Sequence, residues 1–137
     1  MGIKLYSLEV RGAEDLANAF RTAGKVQAGA MIVVAVAGML NDQDRILELA
    51  AKTRMPVMYT NPEPVLTDGL MSYAADLPAL ARGAADYVDR ILKGTKPADL
   101  PVQQPTKFEL IINLKAAKQI GVTIPQSVLY RADKVIK

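Results

Sequence analysis

Cysteine, histidine and tryptophan are all missing from these 137 residues, and five tyrosines and two phenylalanines supply the only aromatic rings. Without thiols there is no disulfide framework, no cysteine nucleophile and no thiolate metal site. Without imidazole the usual neutral-pH base and the commonest metal ligand are gone, so hydrolytic triads and zinc sites cannot be built. Carboxylates or lysine would have to carry any catalysis alone, yet no second carboxylate lies near Glu63 in sequence, so acid–base pairing has no support. Phosphate loops are absent as well: neither GxGxxG nor GxxxxGK[ST] follows any strand-like run. The expectation is a protein that is not an enzyme, with no catalytic residue, no metal site and no cofactor.

Two further absences bear on location. The longest apolar run, residues 28–40, has 13 residues, and a bilayer span needs about 20. The opening Met1-Gly2-Ile3-Lys4 leads straight into a strand-like run, with no charged region, apolar stretch and small-residue cleavage site before it. A complete chain of this kind would stay in the cytoplasm.

Half of the residues are apolar and under a quarter are charged, which is the balance of a globular chain. The length suits one domain over 1–137, large enough to bury a core without staples. The net charge is +3. From Lys107 onward six Lys or Arg face only Glu109 and Asp133. Only Phe108 and Tyr130 lie among them, so this basic stretch reads as solvated surface and not as a stacking platform, and no nucleic-acid partner is expected.

Hydrophobic periodicity predicts strands near 4–10, 30–36, 57–60, 70–74 and 107–113, the second being a continuous apolar run suited to a strand covered on both faces. Between them lie amphipathic stretches. Leu16, Ala19, Phe20 and Ala23 make one helical face, stopped at Gly24. Ile46, Leu49, Ala50 and Thr53 make a second, capped by Asn41 and ended by Pro56. Leu77, Leu80, Ala84, Val88 and Ile91 make a third, capped by Asp76 and stopped at Gly94. Asn61-Pro62-Glu63-Pro64 is expected to be irregular. Residues 95–106 hold three prolines and read as an extended connector. Residues 107–137 read as a closing strand, a short helix ended by Gly121, and a last helix from Pro125 with Leu129, Ala132, Val135 and Ile136 on one face. Strands alternating with helices argue for an α/β fold with a parallel-rich sheet flanked by helices.

In such a sheet ligands sit beyond the carboxyl ends of the strands. Those ends carry Asn41, Asn61, Glu63, Ser72 and Tyr73: amides, a hydroxyl, a carboxylate and a ring, a mixture suited to a small polar solute with an apolar part. From the residues alone, capping and turn-making are the better account of the same positions. Glu63 serves either a ligand ammonium group or a surface lysine.

Three stretches carry a family resemblance: Gly69-Leu70-Met71-Ser72-Tyr73, Lys93-Gly94-Thr95-Lys96-Pro97-Ala98-Asp99-Leu100-Pro101, and Gln104-Pro105-Thr106-Lys107-Phe108-Glu109-Leu110. Their order and wording resemble the C-terminal half of ABC-transporter substrate-binding proteins of the tryptophan/tyrosine type, which have a type I periplasmic-binding-protein-like fold. The resemblance runs from about Lys4 to Lys137. It implies one lobe of a two-lobe extracytoplasmic receptor with a C-terminal hinge and helix segment, a small solute of the aromatic amino-acid kind, and an ABC permease as partner of the complete receptor. It places Ser72 and Tyr73 at the cleft between lobes and an acidic residue at Glu63. One lobe alone also exposes the face that met the other, so a homodimer is expected, with the connector at 95–106 acting as a hinge for exchange between subunits. A non-catalytic homodimeric interaction protein is the alternative function, and a small flavodoxin-like regulator or enzyme the third.

Overall fold

The computed structural model describes residues 2–34 and 42–137. Asn41, and the part of the expected second strand beyond Val34, lie outside the described residues. In chain order the elements are α1 (Ala13–Lys25), β1 (Met31–Val33), α2 (Gln43–Thr53), β2 (Val57–Tyr59), α3 (Glu63–Thr67), β3 (Met71–Ala75), α4 (Leu77–Leu92), a 3-10 turn at Pro97–Asp99, β4 (Phe108–Asn113), α5 (Leu114–Ile120), α6 (Gln126–Leu129) and β5 (Lys134–Ile136). The strands form one sheet in the order β1-β2-β3-β4-β5. Every neighbouring pair is parallel except β3 and β4. The fold is α/β with a mostly parallel sheet.

The core follows from the helical faces. Leu16, Phe20 and Ala23 of α1 and Ile46 and Ala50 of α2 are buried against Val57, Tyr59, Val65 and Ile111. Each fully buried aliphatic or aromatic side chain of this size contributes roughly 1.5–3 kcal/mol. Glu14 and Asp15 sit in the first turn of α1, where the helix dipole favours negative charge. α2 ends at Thr53, and Arg54 takes a left-handed φ of 52°. This turn brings Met55 N to Ala50 O at 3.0 Å before Pro56 opens β2. Asn113 pins the middle of the molecule. Its Oδ1 accepts from Ala116 N at 3.1 Å and caps α5, while its Nδ2 donates to Val65 O and Thr67 O at 3.2 and 3.1 Å.

Four expectations need correction. Residues 4–10 form no strand: among the described residues they enter no ladder, and only Leu8 and Val10 turn partly onto the core. Alternation specifies a face, but a strand also needs a neighbour, and this segment has none. Gly24 does not stop α1, which runs on to Lys25 and turns at Gln27 with φ 54°. Asn61-Pro62-Glu63-Pro64 is not irregular throughout, because α3 begins at Glu63 with proline in its first turn, where the missing N–H costs nothing. The final helix is shorter than its spacing suggests. α6 ends at Leu129, and Val135 and Ile136 lie in β5. The cause is the open side of β4: Asp133 N donates to Leu110 O at 2.9 Å and its Oδ2 accepts from Leu110 N at 2.8 Å. That clamp delivers a β-branched pair to a waiting ladder.

Candidate functional site

β1, β2 and β3 run parallel, so their carboxyl ends open at one end of the sheet. β4 runs against them, so its first residues arrive at that same end. The register pairs Tyr59 with Ser72, and the chain leaving β2 toward Asn61 therefore starts level with Tyr73. Asn61 Nδ2 donates to Glu63 Oε2 at 2.8 Å, and both side chains are exposed enough to meet a solute.

Ser72 and Tyr73 are split by the pleat. Successive side chains on a strand point to opposite faces. Ser72 is fully buried and its hydroxyl finds no partner among the described residues. Tyr73 is 51% exposed and stacks on Phe108, with ring centroids 5.4 Å apart and planes 17° from parallel. Antiparallel pairing of Tyr73 with Leu110 and of Ala75 with Phe108 makes this contact. The end of the sheet thus carries an aromatic shelf on β3 and β4, and the chain leaving β2 carries the Asn61–Glu63 pair. Phe108 was not among the residues expected at the site, because nothing in its local sequence shows which strand it will lie against.

Below the shelf the chain leaves and re-enters the sheet through a narrow neck. Asp76 N donates to Lys107 O at 3.0 Å, and Lys107 Nζ donates to Asp76 Oδ2 at 2.6 Å. Asp76 Oδ1 accepts from Ala79 N at 2.9 Å and caps α4. The bond from Lys107, and then that from Ala79, holds the Asp76 carboxyl below the usual carboxylate range. The same bond to Asp76 pushes the Lys107 ammonium above its ordinary value. Glu109 adds a weaker contact to Lys107 at 4.0 Å.

Beyond the neck, α4 and the connector lie side by side, tied by a hydrogen bond from the Tyr87 hydroxyl to Pro101 O. A groove of about 940 Å³ opens between them and reaches down to Asp76 and Lys107. No residue of α4 is buried. Its apolar side is left open, with Leu77 58% and Val88 55% exposed. Among the described residues no group of three or more acidic side chains could hold a metal ion, and no helix is long and apolar enough to cross a membrane.

The family model for ABC transporter substrate binding proteins matches residues 1–136. Among solved structures, the chain is similar to a conserved domain protein from Vibrio cholerae, with 28% identity and a TM-score of 0.84 over 98% of this chain and 45% of that one. It is similar to an ABC domain in complex with L-Trp from Streptococcus pneumoniae, with 27% identity and a TM-score of 0.82 over 98% and 46% of the two chains. A ligand-free, open substrate binding protein with adhesive properties from Clostridium difficile shares the fold at 17% identity and a TM-score of 0.67, over 93% and 42%. This chain spans less than half the length of each. No curated protein matches it.

Proposed function

Because the chain belongs to the family of ABC transporter substrate binding proteins, we propose that it supplies one wall of a solute receptor. It takes a small amino-acid-like solute at the carboxyl ends of β2 and β3 and catalyses no reaction. The observation that carries this reading is the exposed shelf of Tyr73 and Phe108, at the end of the sheet where the chain leaving β2 carries the bonded pair Asn61 and Glu63. Glu63 is the anionic partner for an α-ammonium group. The exposed ring of Tyr73 offers a stacking face to an aromatic side chain, in line with the L-Trp bound by the pneumococcal domain. Asn41 completes the proposed ligand set with a second amide. Ser72 contributes from behind the sheet, through its position and not through direct contact. A polar head and an apolar body are read together, as expected for a site of this kind.

The open side of α4 supports a second wall. Two-lobe receptors enclose a solute between lobes, and a good pocket buries some 70–90% of a ligand. With one wall, about 100 Å² of apolar contact is lost, or ~2.5 kcal/mol at about 25 cal/mol per Å². Binding by this chain alone is then on the order of 0.1 mM or weaker, about −5.5 kcal/mol. The remaining partners on this reading are a second copy of the chain, which covers apolar surface left open, and an ABC permease for the assembled receptor. The extracytoplasmic face of a membrane is where such a receptor works.

An NMR titration with a panel of aromatic, aliphatic and acidic amino acids tests the site. Shifts centred on 60–63, 73–76 and 107–109 that vanish in Tyr73→Ala and Glu63→Ala are expected. Shifts confined to Lys115, Lys118, Arg131 and Lys134 would place the solute on the basic surface and defeat the assignment.

The same chain also fits a non-catalytic interaction protein that has kept the fold and lost the solute. The exposed apolar side of α4 favours that reading, and a flat response to the whole panel, with stable self-association, is its signature.

A further inference from the structure

Asp68-Gly69 is the one place in the chain where an Asp or Asn is followed by glycine. Such a pair is chemically self-reactive. The backbone nitrogen of the glycine can attack the aspartyl side-chain carboxyl, because no Cβ on the glycine crowds the approach. The pair makes the turn from α3 into β3. The Asp68 side chain is exposed to water, whereas Gly69 is buried.

The fold holds the reacting atoms apart. Gly69 N donates to Pro64 O at 2.8 Å. The same carbonyl accepts from Asp68 N and, at 2.9 Å, from the Thr67 hydroxyl. Asp68 stands at φ −126° and ψ 7°. At a ψ this near zero the tetrahedral Cα keeps Cβ away from the next nitrogen, so ring closure needs a large turn about the Cα–C bond. Gly69 is packed too closely to follow that turn: a Cβ in its place would stand 2.8 Å from Pro64 O and 3.0 Å from the Tyr59 ring. Asn113 then bolts both sides of the pair. Its Nδ2 donates to Thr67 O at 3.1 Å, and its backbone N donates to Leu70 O at 2.9 Å. Asn113 is 1% exposed, and bonds made away from water are the stronger for it.

We propose that Asp68-Gly69 is a site of spontaneous isoaspartate formation, held shut in the native fold by Pro64 O and the Asn113 clamp and released by local opening of the turn after α3. The step balances without oxidant, metal or second protein. A bond forms between Gly69 N and Asp68 Cγ. Cγ loses its hydroxyl, the nitrogen loses its proton, and one water leaves. The product is a five-membered succinimide. Water then adds to either carbonyl. Addition at Cγ restores aspartate, and addition at the backbone carbonyl leaves the main chain running through the side chain, as isoaspartate. The chain between α3 and β3 is then one carbon longer. β3 begins at Met71, paired with Met58 and Ile112, so the added carbon falls just ahead of the ladder and strains its register. Each of the groups that guard the pair lies within this chain, and the site is independent of the solute reading.

Peptide mapping by mass spectrometry after storage in warm, mildly acidic oxygen-18 water tests the site. Isoaspartate at position 68, carrying one heavy oxygen, is expected in urea, and roughly tenfold or more slowly in the folded chain, where the turn must first open. Asn113→Asp keeps the cap of α5 and loses the side-chain donors to Val65 O and Thr67 O. It is expected to raise the folded-state rate severalfold and to leave the rate in urea unchanged, with circular dichroism confirming that it stays folded. The unaltered chain supplies the same test should that variant not fold. In a urea series below the unfolding transition, isomerisation is expected to rise in step with hydrogen exchange at the Gly69 amide. No isoaspartate at position 68 in urea would overturn the site. Equal rates in urea and in the folded chain would overturn the guard. A folded Asn113→Asp no faster than the unaltered chain would remove Asn113 from the clamp, and a rate that ignores Gly69 exchange would overturn release by local opening.

Discussion

The Tyr73 ring lies on the Phe108 ring at 5.4 Å, nearly parallel, and the strands that carry them run in opposite directions. Two residues remote in sequence thus make one flat surface at the end of the sheet. Stacked pairs contribute about 0.5–1.5 kcal/mol beyond area burial. Phe108→Ala is expected to lower stability by about 1 kcal/mol in urea denaturation. It should weaken binding of aromatic amino acids several-fold more than that of aliphatic ones in the same titration. Equal loss for both classes would show that the shelf does not read the ring.

The Asp76–Lys107 neck gives a signed pH dependence. Asp76 is depressed in the folded state, so its contribution is present above the ordinary carboxylate value of about 3.9 and is lost as pH falls through its lower folded value. Lys107 is raised, so its contribution is complete below about 10.4 and is lost as pH climbs through its higher folded value. Between those limits the pair should leave stability flat. Lys107→Met is expected to shift the acid limb of the unfolding midpoint to higher pH, and Asp76→Ala to cost more than Lys107→Met because it also uncaps α4. Urea midpoints at a series of pH values check both.

Tyr59 behaves differently. It is 2% exposed and its hydroxyl has no partner among the described residues. Burial pushes its pKa up to about 12. The unfolded chain ionises near 10, so stability is intact below that pH and falls as pH rises toward 12, by roughly 3 kcal/mol at 1.36 kcal/mol per unit. Tyr59→Phe should abolish this alkaline loss. At neutral pH it should be neutral or stabilising by up to about 1 kcal/mol, since it removes an unpaired buried hydroxyl. Paired denaturation curves at pH 7 and pH 11 decide the matter.

Asn113→Ala is expected to be among the costliest single changes, at about 2–4 kcal/mol. It removes the cap of α5 and strips a donor from the carbonyls of both Val65 and Thr67. Asn113→Asp keeps the cap and loses the donors, so it should recover part of the stability and separate the two roles in a thermal melt.

Local chemistry was legible in the sequence wherever one residue type does one job. Asp76 caps α4 and Gly121 ends α5 in the left-handed region. The apolar runs that became β1 to β4 were plain because burial demands them. What could not be read was pairing. Residues 4–10 alternate like a strand but have no neighbour, and Val135 and Ile136 keep helical spacing yet join β4. At the site, the closeness of Asn61 and Glu63 follows from their spacing. The opposite facing of Ser72 and Tyr73 also follows from a two-residue repeat, and their proposed joint role overlooked it. The Tyr73–Phe108 shelf needed the direction of β4, which local sequence does not encode.

The neck has a consequence for how the molecule can be taken apart. Asp76 and Lys107 are hydrogen-bonded just beyond the last ladder pair, Ala75 and Phe108, so the entire excursion of α4 and connector starts and finishes one strand spacing apart. To the sheet, residues 77–106 are a long hairpin loop. Excising them and joining Asp76 to Lys107 through Asn-Gly would leave β3 and β4 an ordinary hairpin. The sheet would then run from β1 to β5 with the connection between β3 and β4 reduced to a single tight turn.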